Sequence, residues 1–91
     1  MSRLIWSSPA LQDVARLHAF LEQKSEEAAQ RAVGAIRKGI KILGKQAKLG
    51  RPVEEMTFEF REWIIEFGQS AYIVLYHFDG KEVVILAVRH G

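Results

Sequence analysis

The stretch AYIVLYHFDGKEVVILAVRH, residues 71–90, decides the fold. Ala71–Phe78 is apolar at nearly every position, the pattern of a central strand covered on both faces. Asp79–Gly80 is a strong two-residue hairpin signal, because such turns need residues that tolerate positive φ. Val83–His90 then supplies the returning strand. It finishes on Arg89 and His90, which follow one another and so point to opposite faces of any sheet they join.

Outward from this hairpin, Phe58–Phe67 alternates. Arg61, Trp63, Ile65 and Phe67 fall on one face, and Phe60, Glu62, Ile64 and Glu66 on the other. Gly68–Gln69–Ser70 turns the chain into the central strand, and Leu49–Gly50–Arg51–Pro52 reads as a loop. Further upstream the period becomes helical. Ser8–Pro9 reads as an N-cap followed by proline at the first helical position. Ala10, Leu11, Val14, Leu17, His18 and Leu21 form one stripe of a helix reaching about Lys24.

Ser25 caps a second helix, with Glu26 and Glu27 at its positive end. Its apolar stripe is Ala28, Ala29, Ala32, Val33, Ile36, Ile40 and Leu43, and Arg37, Lys38 and Lys41 lie opposite. The small residues Ala28, Ala32, Gly34, Ala35 and Gly39 permit close packing in a tight antiparallel pair. Gly44 ends the helix. Ser2–Trp6 adds a short N-terminal strand. The order β-α-α-β-β-β gives an α+β fold, a helical hairpin on a small antiparallel sheet. Residues 1–91 are expected to form one domain.

A hydrophobic share of 48% and a charged share of 26% suit a folded protein rather than a disordered one. The apolar runs are far short of the roughly 20 residues that span a bilayer, and the N-terminus lacks a secretory pattern. Zero cysteines exclude disulfides and thiolate-ligated zinc, which suits the cytoplasm. Seven of the thirteen basic residues lie from Arg31 to Arg51 with no acidic residue between them. Such a block favours an acidic partner, either nucleic acid or an acidic protein segment, when it is more than a solvated helix face.

The histidines at 18, 77 and 90 have no metal-ligand spacing, and no cofactor motif is present. His18 reads as a core histidine. Arg61, set among apolar neighbours, needs either a carboxylate from Glu59, Glu62 or Glu66, or an open groove. Arg89 could hold a phosphate bidentately and His90 could exchange a proton.

The segments WSSPALQDVARLHAFL, Glu27–Ala28–Ala29, LGRPV at 49–53, and FREW, AYIVLYHF and VVILAVRHG in order resemble the RelE/ParE superfamily of type II toxins. The resemblance implies a bacterial toxin neutralised by a cognate, ParD-like antitoxin in a hetero-oligomer, with Arg31, Arg37, Lys38 and Lys41 receiving the antitoxin. Nuclease members act on messenger RNA at the ribosome. They commonly carry Tyr-Arg-x-x-Tyr in the third strand, where this chain has Tyr72–Ile73–Val74–Leu75–Tyr76. Isoleucine in place of that arginine makes the chain more similar to the ParE branch, which inhibits DNA gyrase and needs no cofactor. On that resemblance, Arg61, Trp63, Arg89 and His90 form the target-binding surface. The nuclease alternative instead assigns Glu54, Arg61 and His90 as base, phosphate ligand and acid. A third alternative is an inactive homologue that only binds its antitoxin.

Overall fold

A computed structural model describes residues 2–91. Its elements are β1 (Arg3–Trp6), α1 (Ser8–Glu22), α2 (Glu26–Leu43), β2 (Arg51–Pro52), β3 (Phe60–Phe67), β4 (Ser70–Phe78) and β5 (Glu82–His90). The five strands form one sheet in the order β1-β5-β4-β3-β2, and both helices lie on one face of it. β2–β3, β3–β4 and β4–β5 pair antiparallel. β1 pairs parallel to β5, from Arg3 opposite Glu82 to Trp6 opposite Ile85, so the sheet is mixed rather than antiparallel. The segment around Pro52 is also more than a loop. Arg51 and Pro52 form a two-residue edge strand beside Glu62 and Arg61, a place where proline's missing N–H costs no ladder bond.

The helix caps follow from small hydroxyl side chains in extended backbone. Ser7, not Ser8, caps α1. Its φ of −73° and ψ of 158° are extended, and its Oγ accepts from the Ala10 N–H at 3.2 Å. Ser8 and Pro9 are already helical. Ser25 caps α2 by accepting from Ala28 at 3.1 Å, with Glu26 and Glu27 in the first turn. α1 stops at Glu22, two residues before the expected end at Lys24.

The core holds Ala10, Ala32, Ile36, Ile40 and Leu43 from the helices and Ile65, Tyr72, Val74, Tyr76, Val83, Ile85 and Val88 from the sheet. β4 carries its core residues at even numbers throughout. β5 does not: Val83 and Ile85 are buried, and then Val88. The register explains the change. Tyr76 faces Ile85, but Leu75 faces Ala87, so Leu86 is one extra residue on β5. This is a β-bulge, and it moves the helix-facing side of β5 from odd to even positions.

At the β4–β5 turn, Gly80 takes φ +99°, and the Asp79 carboxylate accepts from the Lys81 and Glu82 N–H groups at 2.9 Å each. Those two bonds hold the Asp79 carboxyl below its ordinary pKa.

Two helical glycines do different work. A Cβ on Gly39 would sit 2.7 Å from Ile65 Cδ1, whereas one on Gly34 would meet nothing within 4 Å. Gly39→Ala is therefore expected to lower the thermal midpoint through overpacking costing about 1–3 kcal/mol. Gly34→Ala is expected to raise it, through a helix-propensity gain of about 1 kcal/mol alone. Thermal unfolding of both variants checks the assignment, and equal effects would contradict it.

Candidate functional site

Arg61 has neither a carboxylate nor an open groove. Its Nη1 donates to Gly50 O at 2.7 Å and to Lys48 O at 3.4 Å. Two positions along β3, Trp63 Nε1 donates to Gly39 O on α2 at 3.1 Å. On the neighbouring strand, Tyr76 is fully buried. Its hydroxyl donates to Ala47 O at 2.7 Å and accepts from the Gly50 N–H at 2.9 Å. Gly50 has no room for a side chain, because a Cβ there would lie 2.5 Å from the Tyr76 hydroxyl. Three side chains of the sheet thus tie down α2 and the segment after it. They satisfy backbone groups that a buried loop would otherwise leave unpaired.

The bulge places the end of β5. His90 pairs with Tyr72 and lies on the helix side, its ring 5.5 Å from the Tyr72 ring. Together with Leu17, Phe20, Leu21 and Ser70 the two rings line a cavity of about 220 Å³. Arg89 pairs with Ile73 on the face that no helix covers, and its guanidinium lies 3.9 Å from Glu62. Glu62 also lies 3.5 Å from Arg51, so one carboxylate stands between two exposed guanidiniums.

Glu54 is exposed in the turn after β2 and lines a cleft of about 500 Å³ with Arg51, Pro52, Val53 and Glu62. Glu54, Arg61 and His90 do not meet. Arg61 aligns with Tyr76 and His90 with Tyr72, four residues apart on β4, and the two flanking strands are two spacings apart. Strand geometry then separates Arg61 and His90 by about 16 Å between α-carbons. Glu54 follows β2, on the other side of Arg61 from His90, and comes two residues after Pro52, the strand partner of Arg61. The four residues expected to form one target surface also divide. Arg61 and Trp63 face α2, Arg89 the open sheet face, and His90 the cavity beside α1.

The helices leave a groove of about 370 Å³ lined by Trp6, Leu11, Val14, His18, Val33 and Arg37. His18, expected in the core, is half-buried on this wall. Arg31 pairs with Glu27, and Lys38 and Lys41 are exposed farther around α2. Sequence periodicity marks the groove's apolar residues but cannot show that Leu11 remains 54% exposed. Among the described residues, no helix is long and apolar enough to cross a membrane, and no group of three or more His, Asp or Glu side chains could hold a metal ion.

Burial raises the Tyr76 phenol above its ordinary pKa of 10.0, opposed by the Gly50 N–H and the Arg61 charge. A phenol with a higher pKa folded than unfolded contributes stability that is complete below a pH of about 10 and is lost as pH rises through the folded value. Tyr76→Phe leaves Ala47 O and the Gly50 N–H unpaired. It should cost about 1–3 kcal/mol at neutral pH and make the alkaline loss of stability shallower. Thermal midpoints of both proteins from neutral to alkaline pH measure the two effects.

Residues 4–91 match the ParE toxin of type II toxin-antitoxin systems, parDE. Toxin RelE1 of Caulobacter vibrioides is 33% identical over 82 residues, covering 90% of this chain and 85% of the relative. Toxin RelE3 of the same organism is 30% identical over 82 residues, covering 90% and 86%. Among solved structures, the chromosomal ParDE system from P. aeruginosa aligns with TM-score 0.78 at 23% identity, over 99% of this chain and 96% of that one. The RelBE2 complex from Mycobacterium tuberculosis aligns with TM-score 0.71 at 20% identity, over 99% and 98%. At those identities the structures speak for the fold alone. The sequence matches carry the family: the chain belongs to the ParE toxins of type II toxin-antitoxin systems, within the RelE/ParE superfamily.

Proposed function

We propose that this toxin acts by poisoning DNA gyrase, so blocking DNA replication, and not by cutting RNA. The supporting observation is the separation of His90 from Arg61. General acid–base catalysis needs its groups within about 3 Å of the atoms they serve. An imidazole whose α-carbon lies about 16 Å from that of the arginine supports a binding role over shared catalysis at one phosphodiester. The arginine is also committed to the carbonyls of Lys48 and Gly50.

In this reading Arg89 and His90 touch gyrase directly. Arg61 and Trp63 contribute by holding α2 and the 47–50 segment in place behind the sheet. The cognate partner is an acidic antitoxin segment in the cytoplasm, forming a toxin–antitoxin hetero-oligomer. Its apolar side chains would enter the groove at Leu11, Val14 and Val33, and its carboxylates would meet Arg31, Arg37, Lys38 and Lys41. Groove docking with charged flanks is a common mode for such segments. The RelE names of the Caulobacter relatives are the reason to keep RNA cleavage as the second reading.

Supercoiling by purified gyrase is expected to be inhibited by the free protein. Arg89→Ala should weaken inhibition about tenfold or more, as for an interfacial arginine anchor, with an unchanged thermal midpoint. Cleavage of messenger RNA on translating ribosomes, lost on His90→Ala, would establish the second reading instead.

A further inference from the structure

The outward side of α2 and the turn after it carry a continuous stripe at alternating spacings of three and four: Arg31, Gly34, Lys38, Lys41, Lys45 and Lys48. All six are exposed. Within that stripe Arg31 pairs with Glu27, while among the described residues none of the four lysines is in an ion pair. The chain keeps turning past the helix end, with the Lys45 N–H donating to Ile42 O at 3.0 Å. Gly34 sits in the stripe with open space where a Cβ would be. A glycine there costs about 1 kcal/mol of helix stability, and packing against the protein itself does not require it.

We propose that this lysine ridge, Lys38, Lys41, Lys45 and Lys48 with the Gly34 notch, binds the phosphate backbone of duplex DNA. Lys38 and Lys41 lie about one turn apart on α2, and Lys45 and Lys48 follow in the turns after Leu43. Phe78 lines a cleft beside Lys45 and Lys48, but the ridge offers no row of aromatic platforms of the kind single-stranded nucleic acid uses. Ile42 and Leu49 are exposed beside it, but the four unpaired lysines favour a polyanion. The notch between Arg31 and Lys38 lets a backbone approach the helix more closely than a side chain there would allow. The choice of DNA over RNA rests on the gyrase reading, since gyrase works on DNA. Lys45 and Lys48 lie outside the antitoxin set, and Lys38 and Lys41 belong to both, so a bound antitoxin weakens the grip on DNA.

The test uses the free full-length chain and a short labelled duplex, with no gyrase present, followed by fluorescence anisotropy across a salt series. The expected slope of log affinity against log salt is about −3 to −4, at about −0.9 per neutralised phosphate. Lys41→Glu with Lys45→Glu should weaken binding at least about tenfold and reduce the slope by about 2. The control Lys24→Glu with Lys81→Glu, equal in net charge, should change far less, with thermal midpoints confirming that both variants fold.

The ridge assignment is overturned by salt-insensitive or absent DNA binding, by equal losses in both variants, by preference for duplex RNA, or by binding of an acidic peptide but not DNA. Supercoiling assays are read separately. DNA binding that fails beside intact gyrase inhibition removes the ridge alone. Intact, ridge-dependent DNA binding without gyrase inhibition supports the ridge and removes the gyrase reading.

Discussion

The single extra residue in β5 governs how this protein presents its chemistry. Up to Ile85 the strand has a parallel neighbour, because β1 runs beside it as far as Trp6. There β1 ends, Ser7 caps α1, and Leu86 bulges. The freed edge is bound by α1. The Ser7 hydroxyl donates to Leu86 O at 3.4 Å, and the Val88 N–H donates to the Asp13 carboxylate at 2.9 Å. Without the bulge, odd positions would face the helices to the end of the strand. Arg89 would then stand beside Tyr72 under the helices, and His90 would face the open side of the sheet. The bulge reverses this, putting the imidazole against aromatic and aliphatic groups and the guanidinium in reach of Glu62.

A second constraint comes from the segment between α2 and β2. It passes over the end of the sheet, and its carbonyls need donors where water is excluded. Arg61 and Tyr76 supply them, and Tyr76 also receives the Gly50 N–H. The most suggestive polar side chains of β3 and β4 are therefore spent on architecture. What remains exposed and charged includes Arg89, Arg51 and Glu54 around the cleft at Glu62, and lysines along α2.

The elements were readable in the sequence because each rests on local physics. The central strand, the Asp79–Gly80 turn and the stripe of α2 appear where their side-chain periods place them, and the alternating strand expected over Phe58–Phe67 begins two residues later, at Phe60. Several features escaped because their causes are not local. No residue in Arg3–Trp6 announces which strand will lie beside it, so the parallel pairing to β5 is invisible. In VVILAV both faces are apolar, so a one-residue slip leaves no mark. Two adjacent serines offer two caps, and it takes the Ser7 N–H donating to Ile85 O at 3.0 Å, with the Ala10 N–H donating to Ser7 Oγ, to show where β1 gives way to α1. Arg61 signalled its need for a partner, but backbone carbonyls carry no sequence signal at all. For the candidate site, residue types could be nominated from the chain. Their dispersal could not, because it depends on the bulge and on which face of the sheet the helices cover.

His90 belongs to the helix-side cavity with Tyr72, about 16 Å from Arg61 between α-carbons. Proton NMR of the free protein tests this most directly, through nuclear Overhauser contacts of the His90 imidazole. Contacts to the rings of Tyr72 and Phe20 and the methyls of Leu17 and Leu21 are predicted. Contacts to Glu62 or Ile73 side chains on the uncovered face, or to the Arg61 side chain, would contradict the register on which the whole reading stands.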